Sequence, residues 1–262
     1  MRAYKQLALV IALSCTLIAC HKPDANTLII GTISGPETEL VDVAQHVAKE
    51  RYGLTVKIIE FNDYNLPNEA LMDGTLDANI YQHEPYLNAA SKAHGYQFEV
   101  IGKTFIYPTG IYSNKVQTLK ALSKHALIAL PNDPSNEARA LLLLDKAGLI
   151  TLHKTSQASV RDIIKNRKQL RFKELDAAQL PRILPDVDAA IINTTFAIPA
   201  GLRPTQDALF LEDKHSPYAN LIVIRKNTLK KAQLEQLVQA FHSPEVKAKA
   251  QALFGDAAMP AW

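Results

Sequence analysis

Five short segments bring amides, hydroxyls, carboxylates and aromatic rings together, the side chains from which a small-molecule site can be built. They are Phe61 to Ala70, Asp77 to Leu87, Leu130 to Arg139, Ile191 to Ala197 and Ser216 to Val223. Most follow an apolar run that reads as a strand, and strand C-termini are where open α/β sheets place their ligands. Covalent chemistry finds less support. The chain has no phosphate-binding G-x-x-x-x-G-K-[ST] loop, no H-E-x-x-H zinc helix and no G-x-S-x-G nucleophile elbow. In Gly31-Thr32-Ile33-Ser34-Gly35 the serine stands one place too late for that elbow. The eight histidines are scattered with no pair at i, i+4, so no metal centre is expected. These absences remove the positive argument for an enzyme, and none is expected.

The elements that must position these segments alternate between strand and helix patterns. Thr27 to Gly31 and Leu54 to Phe61 read as strands. Between them, Glu37 to Tyr52 reads as a helix with Leu40, Ala44, Val47 and Ala48 on one face and acids in its first turn. A short helix over Pro67 to Met72, a strand over Ala78 to Tyr81 and a helix from Pro85 to His94, stopped by Gly95, follow. The pattern returns with a strand over Ala126 to Leu130 and a helix from Asn136 to Lys146 that Gly148 ends. Leu170 to Leu175, Asp188 to Ile192 and Leu221 to Ile224 read as further strands. Leu229 to Phe254 reads as two helices split at Ser243-Pro244, with the proline starting the second. This alternation predicts an α/β fold with mainly parallel sheets. No glycine- or serine-rich linker divides the chain, which argues against beads on a string. Two lobes joined by more than one crossing would leave no such linker, and Phe105 to Ser113 and Glu212 to Asn220 suit the crossings.

The N-terminus carries a different signal. Arg2 and Lys5 precede an uncharged apolar run, Leu7 to Ile18, too short for the ~20 residues that span a bilayer as a helix. It reads as a removable signal peptide over residues 1–19. Leu17-Ile18-Ala19-Cys20 resembles the lipobox of bacterial lipoproteins, in which the cysteine is acylated and becomes the new N-terminus. Several acyl chains on one residue make a stable anchor, each buried methylene adding about 0.8 kcal/mol. Residues 20–26 are then a short tether, and Cys20 the lipidation site. With Cys15 leaving in the signal, no cysteine remains for an internal disulfide, so stability rests on an ordinary core. Without Arg2 and Lys5, 27 basic residues stand against 26 acidic ones, too even a balance to suggest a nucleic-acid partner.

Taken together, Phe61-Asn62-Asp63-Tyr64, Gln82-His83-Glu84-Pro85-Tyr86-Leu87, Pro131-Asn132-Asp133-Pro134 and Ile192-Asn193-Thr194-Thr195 are specific. At these residues the chain resembles the NlpA-type methionine-binding lipoproteins, the solute-binding components of methionine ABC importers. The likeness runs from Ile29 to Trp262. It implies a type II periplasmic-binding-protein fold: two α/β lobes joined by two crossing segments, with a ligand cleft between them. Lobe 1 is expected over 27–108 and 217–262, lobe 2 over 109–216.

The resemblance also implies roles for particular residues, which the chemistry of a free amino acid makes intelligible. Arg139 matches the carboxylate-binding arginine, since a planar guanidinium gives a carboxylate two charge-assisted hydrogen bonds. A lone helix arginine is ordinarily a solvated surface group; Ala138, Ala140 and the leucines after it argue for an inward face. Asn193 and Asn220 match the asparagines that hold the amino and carboxylate groups, although asparagine at a strand end also commonly caps the next helix. Tyr64, Tyr81 and His83 match the wall around the thioether, where aromatic edges pack against polarizable sulfur for about 0.3–1.5 kcal/mol per contact. Tyr107, on the first crossing, is a further candidate for that wall. Many relatives have phenylalanine where this chain has Tyr81; the added hydroxyl is expected either to tighten the pocket or to recruit a polar partner, which makes amino-acid binding a firmer expectation than methionine specificity. Read alone, Tyr81 would be core and His83 a structural histidine.

The implied function is capture without covalent chemistry and without a cofactor: L-methionine bridges the lobes, and the closed protein docks on an ABC permease driven by its ATPase. The anchor would place the chain in the cell envelope, facing the periplasm or the cell exterior. Competing readings are a receptor for another amino acid or a methionine-containing dipeptide, a periplasmic enzyme, and an adhesive surface lipoprotein.

Overall fold

A computed structural model of the chain describes residues 26–153, 155, 157–213 and 216–262. The expected signal peptide, the expected lipidation site Cys20 and nearly all of the expected tether lie outside the described residues.

Strand β1 (Thr27–Ile33) enters helix α1 (Pro36–Tyr52) through Gly35, whose φ of 133° is glycine territory. Pro36 at the first helical position and the acids Glu37 and Glu39 in the first turn start the helix; Gly53, in the left-handed region, ends it. Its buried stripe of Leu40, Val41, Ala44, Val47 and Ala48 packs on the sheet behind β1. Fully burying Leu40 alone contributes on the order of 1.5–3 kcal/mol.

The first sheet adds β2 (Thr55–Phe61), β3 (Ala78–His83) and β4 (Phe98–Ile106), then β12 (Ala219–Arg225) and β13 (Met259–Pro260), in the order β13-β4-β12-β3-β1-β2. The second is built from β5 (Gly110–Tyr112), β6 (Leu127–Pro131), β9 (Arg171–Leu175), β10 (Ala189–Ile192) and β11 (Phe210–Leu211), in the order β11-β5-β10-β6-β9. A third pair, β7 (Thr151–Leu152) with β8 (Ile163–Lys165), stands apart. The chain leaves the first sheet after Ile106, joins the second at Gly110 and returns between Leu211 and Ala219. Two short passages therefore join two α/β lobes, the binding-protein architecture that the sequence implied.

The sheets are mixed rather than mainly parallel. β1 pairs in parallel with β2 and β3, and β6 with β9 and β10, as βα alternation demands. By contrast β12 runs antiparallel to both β3 and β4, and β5 is antiparallel to β10. The strands that follow a crossing, β5 and β12, enter their sheet from the opposite end, which a local reading of alternation does not reveal. Phe98 to Val100 was not legible as strand either, because β4 buries only part of its length.

Helix α2 (Leu66–Met72), helix α3 (Glu84–His94) and helix α4 (Pro134–Lys146) complete the frame around the cleft. Both α3 and α4 carry proline at their start, and each is capped by the side chain just before it. His83 accepts from the Tyr86 amide at 3.2 Å, and Asp133 from the Asn136 amide at 3.0 Å. After β12 the chain closes with α8 (Lys231–Phe241) and α9 (Pro244–Phe254), split at Ser243 as its N-cap role requires; α5 to α7 are the single turns Leu180–Ile183, Thr194–Ala197 and Pro204–Asp207.

Candidate functional site

The C-terminal ends of β3 and β10 and the start of α4 converge between the lobes on a small cavity. Its wall includes Tyr64, Tyr81, His83, Tyr107, Arg139, Asn193 and Asn220, all seven residues singled out from the sequence. Gln82, Tyr86, Asn136, Thr194 and Thr195 complete it.

One end of this cavity is polar. Arg139 is 4% exposed, carried inward by the buried face of α4. Its Nε donates to both carboxylate oxygens of Glu212 at 3.0 and 3.2 Å, and its Nη2 donates to Glu212 Oε2 and, at 2.9 Å, to the Tyr107 carbonyl. The guanidinium carbon lies 4.3 Å from the centre of the Tyr218 ring, so a cation–π contact fixes its plane. Glu212 thus neutralises the charge, and Nη1 makes no hydrogen bond to protein among the described residues. A ligand carboxylate here would be recognised by the geometry of two N–H groups more than by net charge.

Asn193 occupies the N-cap position of α6, yet its side chain makes no capping bond. Its Nδ2 instead donates to Asn136 Oδ1 at 2.9 Å, and its Oδ1 is buried without a partner. An orphaned buried acceptor is costly unless something else meets it, and an ammonium group would. Asn136 holds the arrangement: its Oδ1 also meets His83 Nε2 at 3.3 Å, and its Nδ2 donates to the Asp133 carboxylate at 2.9 and 3.1 Å. Both His83 nitrogens are therefore engaged by protein. Because Nδ1 accepts, Nε2 carries the proton, and burial pushes the imidazole down to about 3, so it stays neutral.

The other end is aromatic. The ring centre of Tyr64 lies 5.9 Å from that of Tyr81, 6.0 Å from Tyr86 and 4.9 Å from Phe196 of the opposite lobe. The Tyr64 carbonyl accepts from the Tyr81 hydroxyl at 3.0 Å and from the Tyr86 hydroxyl at 2.8 Å. The extra hydroxyl of Tyr81 is thereby spent on the loop that carries Tyr64. From the wall residue Gln82, a buried amide network runs to Asn68 and Asn79 behind it and fixes β3 against α2.

Several residues of this arrangement were not singled out from the sequence: Glu212, Tyr218, Asn136, Thr195 and Glu37. Glu37 sits 5% exposed in the first turn of α1 and accepts from Thr195 Oγ1 and, at 3.1 Å, from Asn220 Nδ2. Burial raises its carboxyl to about 7, against the lowering effect of those two bonds. An acid in the first turn of a helix ordinarily marks only the helix start, so nothing local distinguished it.

A fold of two mixed α/β lobes closed over a small cavity, polar at one end and aromatic at the other, is that of a periplasmic substrate-binding protein. The chain belongs to the NlpA lipoprotein family, whose sequence pattern matches residues 28–262. It is 44% identical to the D-methionine-binding lipoprotein MetQ of Escherichia coli K12, over 99% of this chain and 98% of that protein. Among solved structures, it resembles an ABC-transporter periplasmic substrate-binding protein from Coxiella burnetii. That pair shows 56% identity and a TM-score of 0.87, over 89% of this chain and 100% of the other. A nutrient-binding protein from Burkholderia cenocepacia bound to methionine is 49% identical with a TM-score of 0.86, over 90% and 100% of the two chains.

Proposed function

We propose that this chain is a lipid-anchored receptor that captures methionine between its lobes and hands it to an ABC permease for uptake. The observation that carries the reading is the pairing of unspent polar atoms with an aromatic wall in one cavity. Arg139 Nη1 suits the ligand carboxylate, the orphaned Asn193 Oδ1 suits its ammonium, and Asn220 stands beside them. Tyr64, Tyr81 and the ring edges of His83 and Tyr107 suit a thioether. Lobe 1 over 27–108 and 217–262 and lobe 2 over 109–216 would each supply part of the wall, so the ligand populates the closed state.

No helix among the described residues is long and apolar enough to cross a membrane, and the acylated Cys20 would supply the anchor. The permease and its ATPase supply the energy of transport; this chain contributes binding and no turnover. The test is mass spectrometry of small molecules released from the purified, denatured protein, followed by calorimetry against both methionine stereoisomers, leucine and methionine-containing dipeptides. Methionine is expected to bind at least tenfold more tightly than leucine. Equal affinity for the two would sink the reading.

A further inference from the structure

Glu37 is a carboxylate buried without a cation. Among the described residues no lysine, arginine or histidine pairs with it, and it does not itself line the cavity but stands behind wall residues. Burying such a group is expensive unless its lone pairs are met. Here they are met by side chains of two different elements: Asn220 from β12 of the first lobe and Thr195 from α6 of the second. The backbone around it is shaped for close approach between the lobes. A Cβ added to Gly35 would stand 3.2 Å from Pro199 Cγ across the cleft.

Above about pH 7, where the Glu37 carboxyl is ionised, its chemistry makes this arrangement directional. It accepts and cannot donate, so Asn220 must turn its Nδ2 toward Glu37 and leave Oδ1 for the other side. That oxygen makes no hydrogen bond to protein among the described residues. With the buried Asn193 Oδ1, the site then presents two acceptors, while the Asn220 amide nitrogen is turned away toward Glu37.

We propose that Glu37 is a positioning residue that sets the preference for a ligand ammonium: it orients the Asn220 amide, and through Thr195 it completes that orientation when the lobes close. The inference deepens the amino-acid-receptor reading and rests on it. Gln at this position keeps the shape but brings a donor of its own. It can no longer meet both Asn220 Nδ2 and the Thr195 hydroxyl as acceptor, and one of its orientations favours a flipped Asn220 that points Nδ2 at the ammonium.

The experiment compares methionine with 2-hydroxy-4-(methylthio)butanoate, which replaces the ammonium by a hydroxyl able to donate or accept. Affinities are measured by calorimetry at pH 8, where Glu37 is mostly ionised and the ligand ammonium is still protonated, for the full mature chain, Glu37→Gln and Thr195→Val, with circular dichroism to confirm folding. Glu37→Gln is expected to lose at least tenfold in methionine affinity and less than threefold for the hydroxy analogue, so the preference ratio collapses. Thr195→Val removes the cross-cleft arm and leaves the Glu37–Asn220 contact in place. It is expected to weaken both ligands by the same factor and to reduce ligand-induced compaction in small-angle scattering. An equal loss of both ligands in Glu37→Gln, or no loss, would overturn the assignment. If the wild-type chain fails to bind methionine, that outcome sinks the methionine reading alone. The ratio is then taken for the amino acid released from the protein and its 2-hydroxy analogue, and a collapse or its absence decides on Glu37 as before.

Discussion

Arg139 plays two parts in the proposed site, and they can be separated. It is half of a buried ion pair, its side chain 4% and that of Glu212 7% exposed, and it offers Nη1 to the cavity. Replacing it by methionine keeps most of the volume but strands the Glu212 carboxylate, and losing one partner of a buried pair costs about 3–5 kcal/mol. Replacing both residues by methionine removes the stranded charge. The Tyr107 carbonyl and the Thr109 amide, which donates to Glu212 at 3.3 Å, then lose a partner each, so recovery is incomplete. The double variant is expected to regain at least about 2 kcal/mol over Arg139→Met. Binding behaves differently: two hydrogen bonds to a ligand carboxylate contribute about 1.5–3 kcal/mol each. Both variants should therefore bind methionine about 100-fold or more weakly than wild type. Urea denaturation with linear extrapolation reads the first quantity, and calorimetry below the unfolding transition reads the second. A double variant that binds methionine within threefold of wild type would refute the reasoning and leave Arg139 as scaffold only.

Two further outcomes follow from the same geometry. His83 is held down to about 3 and Glu37 up to about 7, so their linkages oppose each other. From about pH 4.5 to 6.5 the unfolded chain gains a proton at histidine and lacks one at Glu37 relative to the folded chain, and the two slopes cancel. In Glu37→Gln only the His83 slope survives, so stability relative to wild type should rise by about 1.4 kcal/mol per pH unit over that window. Urea midpoints at pH 5, 6 and 7 check this, and parallel profiles for the two proteins would contradict it. Tyr81→Phe removes one of two hydroxyls on the Tyr64 carbonyl. It should cost about 0.5–1.5 kcal/mol of stability and change methionine affinity less than threefold; a large loss of affinity would mean that the hydroxyl reaches the ligand.

How much of this was legible depended on the range of the interaction. The strand before Gly31, the helix after Pro134 and the break at Ser243-Pro244 could be read because periodicity, caps and prolines act within a few residues. Arg139, Asn193 and Asn220 drew attention through short motifs, and the structure gathers them in one cavity. Glu212 and Glu37 did not, because each looks like a solvated acid in its own neighbourhood. What makes Glu212 unusual is an arginine 73 positions earlier, and what makes Glu37 unusual is a threonine 158 positions later.

The sequence by itself determined most of the elements, the family and a short roster of polar and aromatic residues, since these are written in local order and composition. Only the tertiary structure decided how they are spent. It assigned the Tyr81 hydroxyl and both His83 nitrogens to protein partners, left Asn193 Oδ1 unmet, and turned β12 antiparallel so that Asn220 lies opposite His83. Hydrogen-bond valence is settled by three-dimensional neighbours. Which polar atoms remain for a ligand is therefore a property of the closed lobes and not of any segment.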